Sequence, residues 1–361
     1  MKAILQYGPN DLRYEEIPYP KCEPGGMIMK VMAVGLCGSD IRNLTTDSLP
    51  GKYPHIWGHE HAGIIKEVGP EYKGEFKPGD RVIYWATRAC GQCAECRAGN
   101  SNYCLNKNEY VMRQGGFAQY IPIPEVIVER NGVKRLPDDM GFEAYSVIEP
   151  MLSVNGCQDR LNINFRDTVL ICGAGPLGCL HAKVAKIRGA KRVIMTEIAS
   201  ARLEGVEKFG VDIKIDASKV DQIEEVLKLT GGRGADKVIV ANPSTISQQQ
   251  SLKMCKPGGI ISFFGGVAKG AMTEIDSNII HYKGLTIMGQ TGGTSLAYDT
   301  GYDLVVSGRF KWDDIITNTM PLCKISEAIA RCKAGEEIKI SMHPWEDENG
   351  NEITEDANSR K

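Results

Sequence analysis

The sequence predicts an α/β protein in two parts: a β-rich domain with irregular loops, then a doubly wound parallel sheet. Three observations carry this expectation. Through about residue 150 the chain is rich in Gly, Pro and short β-type runs such as Met27-Ile28-Met29-Lys30-Val31-Met32-Ala33-Val34. From Asp167 short apolar strands alternate with helix-length segments, the rhythm of a parallel sheet with crossover helices. A length of 361 residues also exceeds what one core usually organises.

Composition narrows the function classes. Hydrophobic residues make up 42% and charged residues 24%, ordinary values for a globular chain. A formal net charge of −2 gives no general electrostatic hold on nucleic acid or anionic membranes. No apolar run approaches the length of a membrane span, and the N-terminal Met1-Lys2-Ala3-Ile4-Leu5-Gln6-Tyr7-Gly8 turns polar too early for a signal peptide. Twelve cysteines without an export signal point to a reducing cytoplasm, with thiols free or on metal.

Within the first part, Cys90-Gly91-Gln92-Cys93-Ala94-Glu95-Cys96 followed by Cys104 places four thiols where they can converge on one tetrahedral ion. Soft thiolates favour zinc, and a closed Cys₄ shell leaves no open position for chemistry, so this lobe (about residues 88–106) is a structural brace. Two disulfides would need an oxidising compartment, of which the chain gives no sign.

The second part begins with Val169-Leu170-Ile171-Cys172 leading into Gly173-Ala174-Gly175-Pro176-Leu177-Gly178, after which Cys179–Ala185 continues at helical period. This GxGxxG turn closes a strand and opens a helix, the context of a dinucleotide site. Gly173 permits the tight turn, Gly175 lets backbone approach a pyrophosphate, and Gly178 allows close helix–strand packing. The helix opens with Pro176 and Leu177, and its free N–H groups, from Leu177 onward, face the phosphates. The next strand, Val193-Ile194-Met195-Thr196, ends at Glu197, whose carboxylate can accept both ribose hydroxyls of NAD and repels the extra phosphate of NADP. Arg202 either caps the same ribose or contacts a 2′-phosphate; the closer charge of Glu197 favours NAD. Strands are expected at Thr168–Cys172, Arg192–Glu197, Asp212–Ile215, Lys237–Ala241, Gly259–Phe264 and Leu285–Gly289, six in all. After Gln290 the rhythm stops. Helices over Ser295–Ser307 and Ile325–Ala334 are too few to fold alone and are expected to return to the first domain. The acidic stretch 346–361 reads as disordered or loosely attached.

A metal that does chemistry needs three protein ligands and an open position. The candidates are Cys37 in Gly35-Leu36-Cys37-Gly38-Ser39-Asp40, then His59 and Glu60 in Trp57-Gly58-His59-Glu60-His61, and Glu149 in Val147-Ile148-Glu149-Pro150. Each alone is a weak signal, and the His-Glu-His order is not the metalloprotease pattern, which needs two histidines four apart on a helix. Taken in this order with the four-cysteine lobe and the glycine turn, they resemble the zinc-dependent medium-chain dehydrogenase/reductase family over essentially residues 1–345.

That resemblance implies a GroES-like β domain carrying a catalytic zinc, a Rossmann domain binding the nicotinamide nucleotide, and an active site between them. It implies domains at 1–155 with 293–345 and at 156–292, followed by the 346–361 tail. The glutamate at Glu149 is similar to the sorbitol, threonine and related polyol dehydrogenases, where alcohol dehydrogenases of the main group have cysteine. By this likeness Cys37 and His59 ligate zinc, with Glu60 or Glu149 as third ligand, and Asp40 orients His59. Ser39 would take the alcohol proton as hydride passes to the nicotinamide. The implied cofactors are two zinc ions per chain, one catalytic and one structural, and NAD. The implied substrate is a polyol or sugar-derived secondary alcohol, and the implied assembly a cytoplasmic homodimer or homotetramer.

The chain departs from the family pattern at Arg42, where many relatives carry the histidine that ends a proton relay. A guanidinium cannot titrate near neutral pH, so Arg42 is either a surface residue or a grip for an anionic substrate group. Trp57, where relatives usually have an aliphatic residue, is either core or a wall of the substrate pocket. Competing functions are a dehydrogenase of phosphorylated or acidic sugar alcohols, a threonine 3-dehydrogenase-like enzyme, a zinc-ribbon nucleic-acid binder, and a non-catalytic protein on the same scaffold. The near-neutral charge opposes the nucleic-acid reading.

Overall fold

The computed structural model describes residues 1–107 and 114–355. The chain forms two compact units: Met1–Glu149 together with the segment from Ile316 onward, and Pro150–Ile315. The boundary falls within the helix Tyr145–Leu161, at its internal proline. Among the described residues no helix is long and apolar enough to cross a membrane.

The first unit is organised by the strand Met27–Gly35, buried along nearly its whole length. It pairs antiparallel with Tyr120–Ile123, with Glu60–Val68 and, at its C-terminal end, with Ile340–His343. Arg81–Tyr84 and Val133–Arg135 extend this sheet on one side, and Asn318–Pro321 closes the other, giving seven strands. A separate hairpin joins Lys2–Gly8 to Asp11–Glu16. The helix Ile325–Ala334 covers the sheet, burying Ile325, Ala328 and Ile329 in the same apolar cluster as Met29, Val34 and Ile340.

The second unit holds a six-stranded, fully parallel sheet in the spatial order Ile213–Asp216, Arg192–Glu197, Thr168–Cys172, Ala235–Val240, Cys255–Phe263, Thr286–Gly289. Counted along the chain this is 3-2-1-4-5-6, the Rossmann arrangement. Its first strand is buried at every position, as a central parallel strand covered on both faces must be. Local chemistry sets the helix starts: the side chains of Asp221, Ser244, Asp276 and Thr294 each accept a backbone N–H from the first turn of the helix they precede.

Two expectations are corrected. The chain does not return to the first unit at 293; it stays in the second through Ile315. The helix Ser295–Val306 buries Ala297, Tyr298 and Leu304, and its Ala297 carbonyl accepts the Asn155 amide at 3.2 Å. Gly293 lies so close to Leu152 that an added Cβ would sit 2.0 Å from the Leu152 carbonyl. Lys183 then ties in the following loop through Asp314 and the Lys311 carbonyl. These partners are invisible to a reading that saw only the end of the βα rhythm.

The acidic tail is also docked as far as Glu355; residues 356–361 lie outside the described residues. Trp345 donates its indole N–H to the Val31 carbonyl at 2.9 Å, and Ile353 N–H bonds the Trp345 carbonyl at 2.8 Å. Glu355 meets Lys66, Lys30 at 3.3 Å and the Tyr120 hydroxyl at 2.9 Å. Those cations come from two strands remote in sequence, so the composition of the tail alone gave no sign of them.

His343 sits between two carboxylates, Nδ1 at 2.8 Å from Glu346 and Nε2 at 3.0 Å from Glu143. Burial works to depress its pKa, but Glu143 and Glu346 outweigh it and raise the imidazole above its ordinary value. A raised folded-state pKa gives stability that is full below the unfolded value, about 6.5, and is lost as pH rises through the folded one. The urea midpoint of His343→Gln is therefore expected to fall furthest below wild type at about pH 6, with the gap shrinking by about pH 9. A gap independent of pH would show that the imidazolium is not the stabilising form.

Candidate active site

Strand register brings the predicted ligands together. Gly35 pairs with Glu60 on one neighbouring strand and with Ser341 on the other. Cys37 therefore lies just past one strand end, His59 just before the start of the next, and Lys339 just before a third. The absence of a side chain at Gly35 is required: an added Cβ would stand 2.1 Å from Glu60 Oε2 and 2.6 Å from Ser146 Oγ.

Cys37 caps the helix Gly38–Thr45, and its N–H donates to Asp40 Oδ2 at 3.2 Å. The Ser39 hydroxyl donates to Cys37 Sγ at 3.2 Å. Asp40 Oδ1 is 3.1 Å from His59 Nδ1. With Nδ1–H given to Asp40, the Nε2 lone pair is left for a metal, the usual role of such a carboxylate. Donor atoms of Cys37, His59 and Glu60 lie within 4.8 Å of one another. Glu149 stands beside this set, its Oε2 4.0 Å from His59 Nε2.

The back of the cluster is sealed and its front is open. Asp40 and Glu60 are fully buried, whereas the side chains of His59 and Glu149 keep 23% and 20% of their surface. A cavity of about 290 Å³ opens on this face, lined by His55, Trp57, His59, Thr87, Gln114 and Glu149. Behind it the Lys339 ammonium, almost wholly buried, bonds Glu60 Oε1 at 2.6 Å. Burial works against the Lys339 charge, but Glu60, Cys37 and Asp40 hold its pKa above the ordinary value. Burial depresses the His59 imidazole, yet Asp40, Cys37 and Glu149 together raise it well above its ordinary value. Burial likewise pushes Glu149 up to about 7, opposed by His59 and reinforced by Glu60. So much negative charge around one thiol and one imidazole is the donor set that a divalent cation neutralises, and the residues fit zinc.

The four-cysteine lobe fits a second ion. Cys90 and Cys96 sulfurs are 3.9 Å apart, and Cys93 and Cys104 sulfurs 4.0 Å. A tetrahedral centre with Zn–S bonds of about 2.3 Å needs sulfurs about 3.8 Å apart, whereas a disulfide needs about 2.05 Å. None of the twelve cysteines is in a disulfide. Backbone hydrogen bonds pull the Cys93 thiol down to about 6, while burial and its neighbours push Cys96 up to about 12.

The glycine turn has the geometry of a dinucleotide site. Gly173 has φ +112°, and a Cβ on Gly178 would lie 2.0 Å from the Gly173 carbonyl. Gly175 caps the helix Pro176–Ile187, with Pro176 and Leu177 in its first turn and open space where a Gly175 side chain would be. Glu197 ends the adjacent strand and is bound to the turn itself: Oε2 accepts Ala174 N–H at 2.9 Å, and Oε1 accepts Ile198 and Ala199 N–H at 2.8 and 3.0 Å. Arg202 follows in the short helix Ser200–Leu203.

Two predicted residues stand apart from the metal cluster. Arg42 is exposed on the helix Gly38–Thr45 and has no ion pair among the described residues. Trp57 lines the cavity and also packs against the core. Sequence reasoning missed Lys339 and Gln6. Lys339 stands at the start of a late strand, and only the pairing of that strand with Gly35 brings it to Glu60. Gln6 looks like an ordinary polar residue in an edge hairpin; its complete burial was the absent signal.

Comparison with known proteins agrees with this geometry. Residues 23–138 match the family model of the alcohol dehydrogenase GroES-like domain, and residues 176–307 that of the zinc-binding dehydrogenases. An L-threonine 3-dehydrogenase of Pyrococcus horikoshii is 33% identical over 94% of this chain and 97% of its own length. A sorbitol dehydrogenase of Bombyx mori is 28% identical over 94% and 98%. The crystal structure of a zinc-binding dehydrogenase from Sinorhizobium meliloti bound to NADP superposes with a TM-score of 0.85 at 26% identity, covering 95% of this chain and 99% of that one. The chain belongs to the zinc-dependent medium-chain dehydrogenase/reductase family, in the subgroup that holds the sorbitol and threonine dehydrogenases. It is thus a zinc- and NAD(P)-dependent oxidoreductase acting on a small molecule, with a GroES-like domain and a Rossmann domain.

Two measurements test the site. Cys104→Ser should lower the zinc content by one ion per chain in native mass spectrometry, leaving the ion at Cys37 and His59; loss of neither or both would refute the separation of the clusters. Gly35→Ala should cost about 1–3 kcal/mol in urea unfolding, because the new methyl displaces Glu60 from Lys339. A neutral result would remove the steric argument.

Proposed function

We propose that the protein transfers hydride between NAD(H) and a polyol or sugar-derived secondary alcohol or its ketone. The observation carrying this reading is the set Cys37, His59 and Glu60, sealed behind and facing an open cavity beside Glu149. Cys37 and His59 would hold zinc, which when bound supplies Lewis acidity toward a substrate hydroxyl. Asp40 fixes the His59 tautomer. Ser39, whose hydroxyl donates to the Cys37 sulfur at 3.2 Å, would accept the alcohol proton on its free lone pair while passing its own hydroxyl proton on to water. Lys339 neutralises Glu60 from behind, so Glu60 would be held as a third ligand of the zinc, while Glu149 on the open face would remain free to give way to substrate. His55, Thr87 and Gln114 offer hydrogen-bond partners for further hydroxyls. Gly173, Gly175 and Gly178 with Pro176 and Leu177 form the pyrophosphate cradle, and Glu197 selects NAD over NADP.

A second reading, a 3-hydroxy amino acid or other anionic alcohol as substrate, is favoured by the higher identity to threonine dehydrogenase and by the exposed Arg42 guanidinium, which has no ion pair among the described residues. We also infer a cytoplasmic homodimer or homotetramer. The free cysteines support the compartment, and the sheet-ending strand Thr286–Gly289 supports assembly through its edge.

The deciding experiment is NAD and NADP reduction across polyols, inositols, sugar acids, their phosphates and threonine, with metal analysis of the same preparation. NAD-linked turnover of a neutral polyol with two zinc ions per chain is expected. Turnover confined to threonine or to acidic substrates, with KM raised by Arg42→Ala, would replace the first reading with the second. Preference for NADP would overturn the role of Glu197.

A further inference from the structure

Gln6 is completely buried, yet every polar atom of its side chain is engaged. Its Nε2 donates to the Asn43 carbonyl at 2.9 Å and the Leu44 carbonyl at 3.2 Å, groups in the last turn of the helix that begins after Cys37. Its Oε1 accepts the Trp57 indole N–H at 2.6 Å. Its backbone exchanges two hydrogen bonds with His55, at 2.9 and 3.0 Å. The indole donor fixes which amide atom is oxygen, since an amide nitrogen there would meet another N–H. One interior amide thus joins the segment leading to His59 to the helix that follows Cys37.

Trp57 receives the consequence. Its ring lines the substrate cavity, and its only polar atom is held on the far side by Gln6. The His55 ring, which lines the same cavity, meets it edge to face at 4.6 Å. Released from Gln6, the indole N–H of the half-buried Trp57 must find another acceptor, in the protein or in solvent, or lose its hydrogen bond. The cavity side offers acceptors at Thr87, Gln114 and Glu149, and a ring turned that way would occupy substrate volume.

We propose that Gln6 is a positioning residue that fixes Trp57 as a rigid wall of the substrate cavity, and that this pair sets which secondary alcohols the enzyme accepts. Slim extended alcohols pass the wall; ring-shaped or branched ones meet the indole. The inference rests on the reading of this cavity as the substrate site.

The test compares Gln6→Met, Gln6→Glu, Trp57→Leu and the Gln6→Met/Trp57→Leu double variant. Gln6→Met removes the acceptor and is expected to raise KM for the best alcohol about tenfold, more than it lowers kcat, with KM for NAD and zinc content retained. Gln6→Glu keeps an acceptor for Trp57 and loses donors toward the helix, so stability falls while KM stays near wild type. Trp57→Leu should raise the kcat/KM ratio of an inositol to butane-2,3-diol about tenfold. Adding Gln6→Met to Trp57→Leu should then change KM little, because no indole remains to be released. A Gln6→Met protein with lower thermal stability but unchanged KM and selectivity would overturn the proposal, as would additive effects in the double variant. If the wild type oxidises no alcohol, the functional reading fails by itself. Hydrogen exchange of the Trp57 indole N–H still tests the pin: protected in wild type and Gln6→Glu, exposed in Gln6→Met. Equal protection in all three would refute it.

Discussion

The first unit depends on one buried contact, the ammonium of Lys339 against the carboxylate of Glu60. A pair sealed from water gains little net stability over apolar residues, but removing either partner is costly, because it strands a charge. Its value here is positional. The contact can form only if three strands end in register around Gly35, and that register also delivers Cys37 and His59 to the same spot. Packing, charge pairing and ligand placement therefore impose the same geometry on the sheet.

The two clusters of metal-binding residues illustrate how burial separates structural from chemical sites. In the cysteine lobe four equivalent donors surround one point and leave no face for a substrate. Around Cys37 the donors are of three kinds, the acidic residues behind are neutralised or bonded, and the remaining face is open. The dinucleotide turn uses a third device, backbone without side chains. Gly178 is there because its neighbour's carbonyl occupies the Cβ position, and Gly173 because only glycine readily adopts its φ.

Much of this was legible in the sequence, for definable reasons. Strands of the parallel sheet read clearly because they are short, have apolar centres and are separated by helices; Thr168–Cys172 and Arg192–Glu197 agree to the residue. The Cys₄ lobe and the GxGxxG turn are local motifs whose chemistry is fixed by spacing. Cys37, His59, Glu60 and Glu149 became a site only through their combined order. Contacts distant in sequence were not legible. The docking of Ser295–Val306 on Asn155, the anchoring of Glu355 by Lys30 and Lys66, and the pairing of Lys339 with Glu60 all need a partner whose sequence position gives no hint of proximity. Arg42 shows the converse, a residue conspicuous by motif that is exposed and has no ion pair among the described residues.

Discontinuity of the first unit has a consequence for biogenesis. The Rossmann unit is one uninterrupted segment, so all of its contacts become available while the nascent chain is still being extended. The other unit is made first yet must wait, since its central strand lacks the neighbour Ile340–His343, and Glu60 its counter-charge, until the final stretch leaves the ribosome. Translation order and folding order are thus reversed for the two units, because the segment from Ile316 onward must be made before the sheet around Gly35 and its Glu60–Lys339 contact are complete.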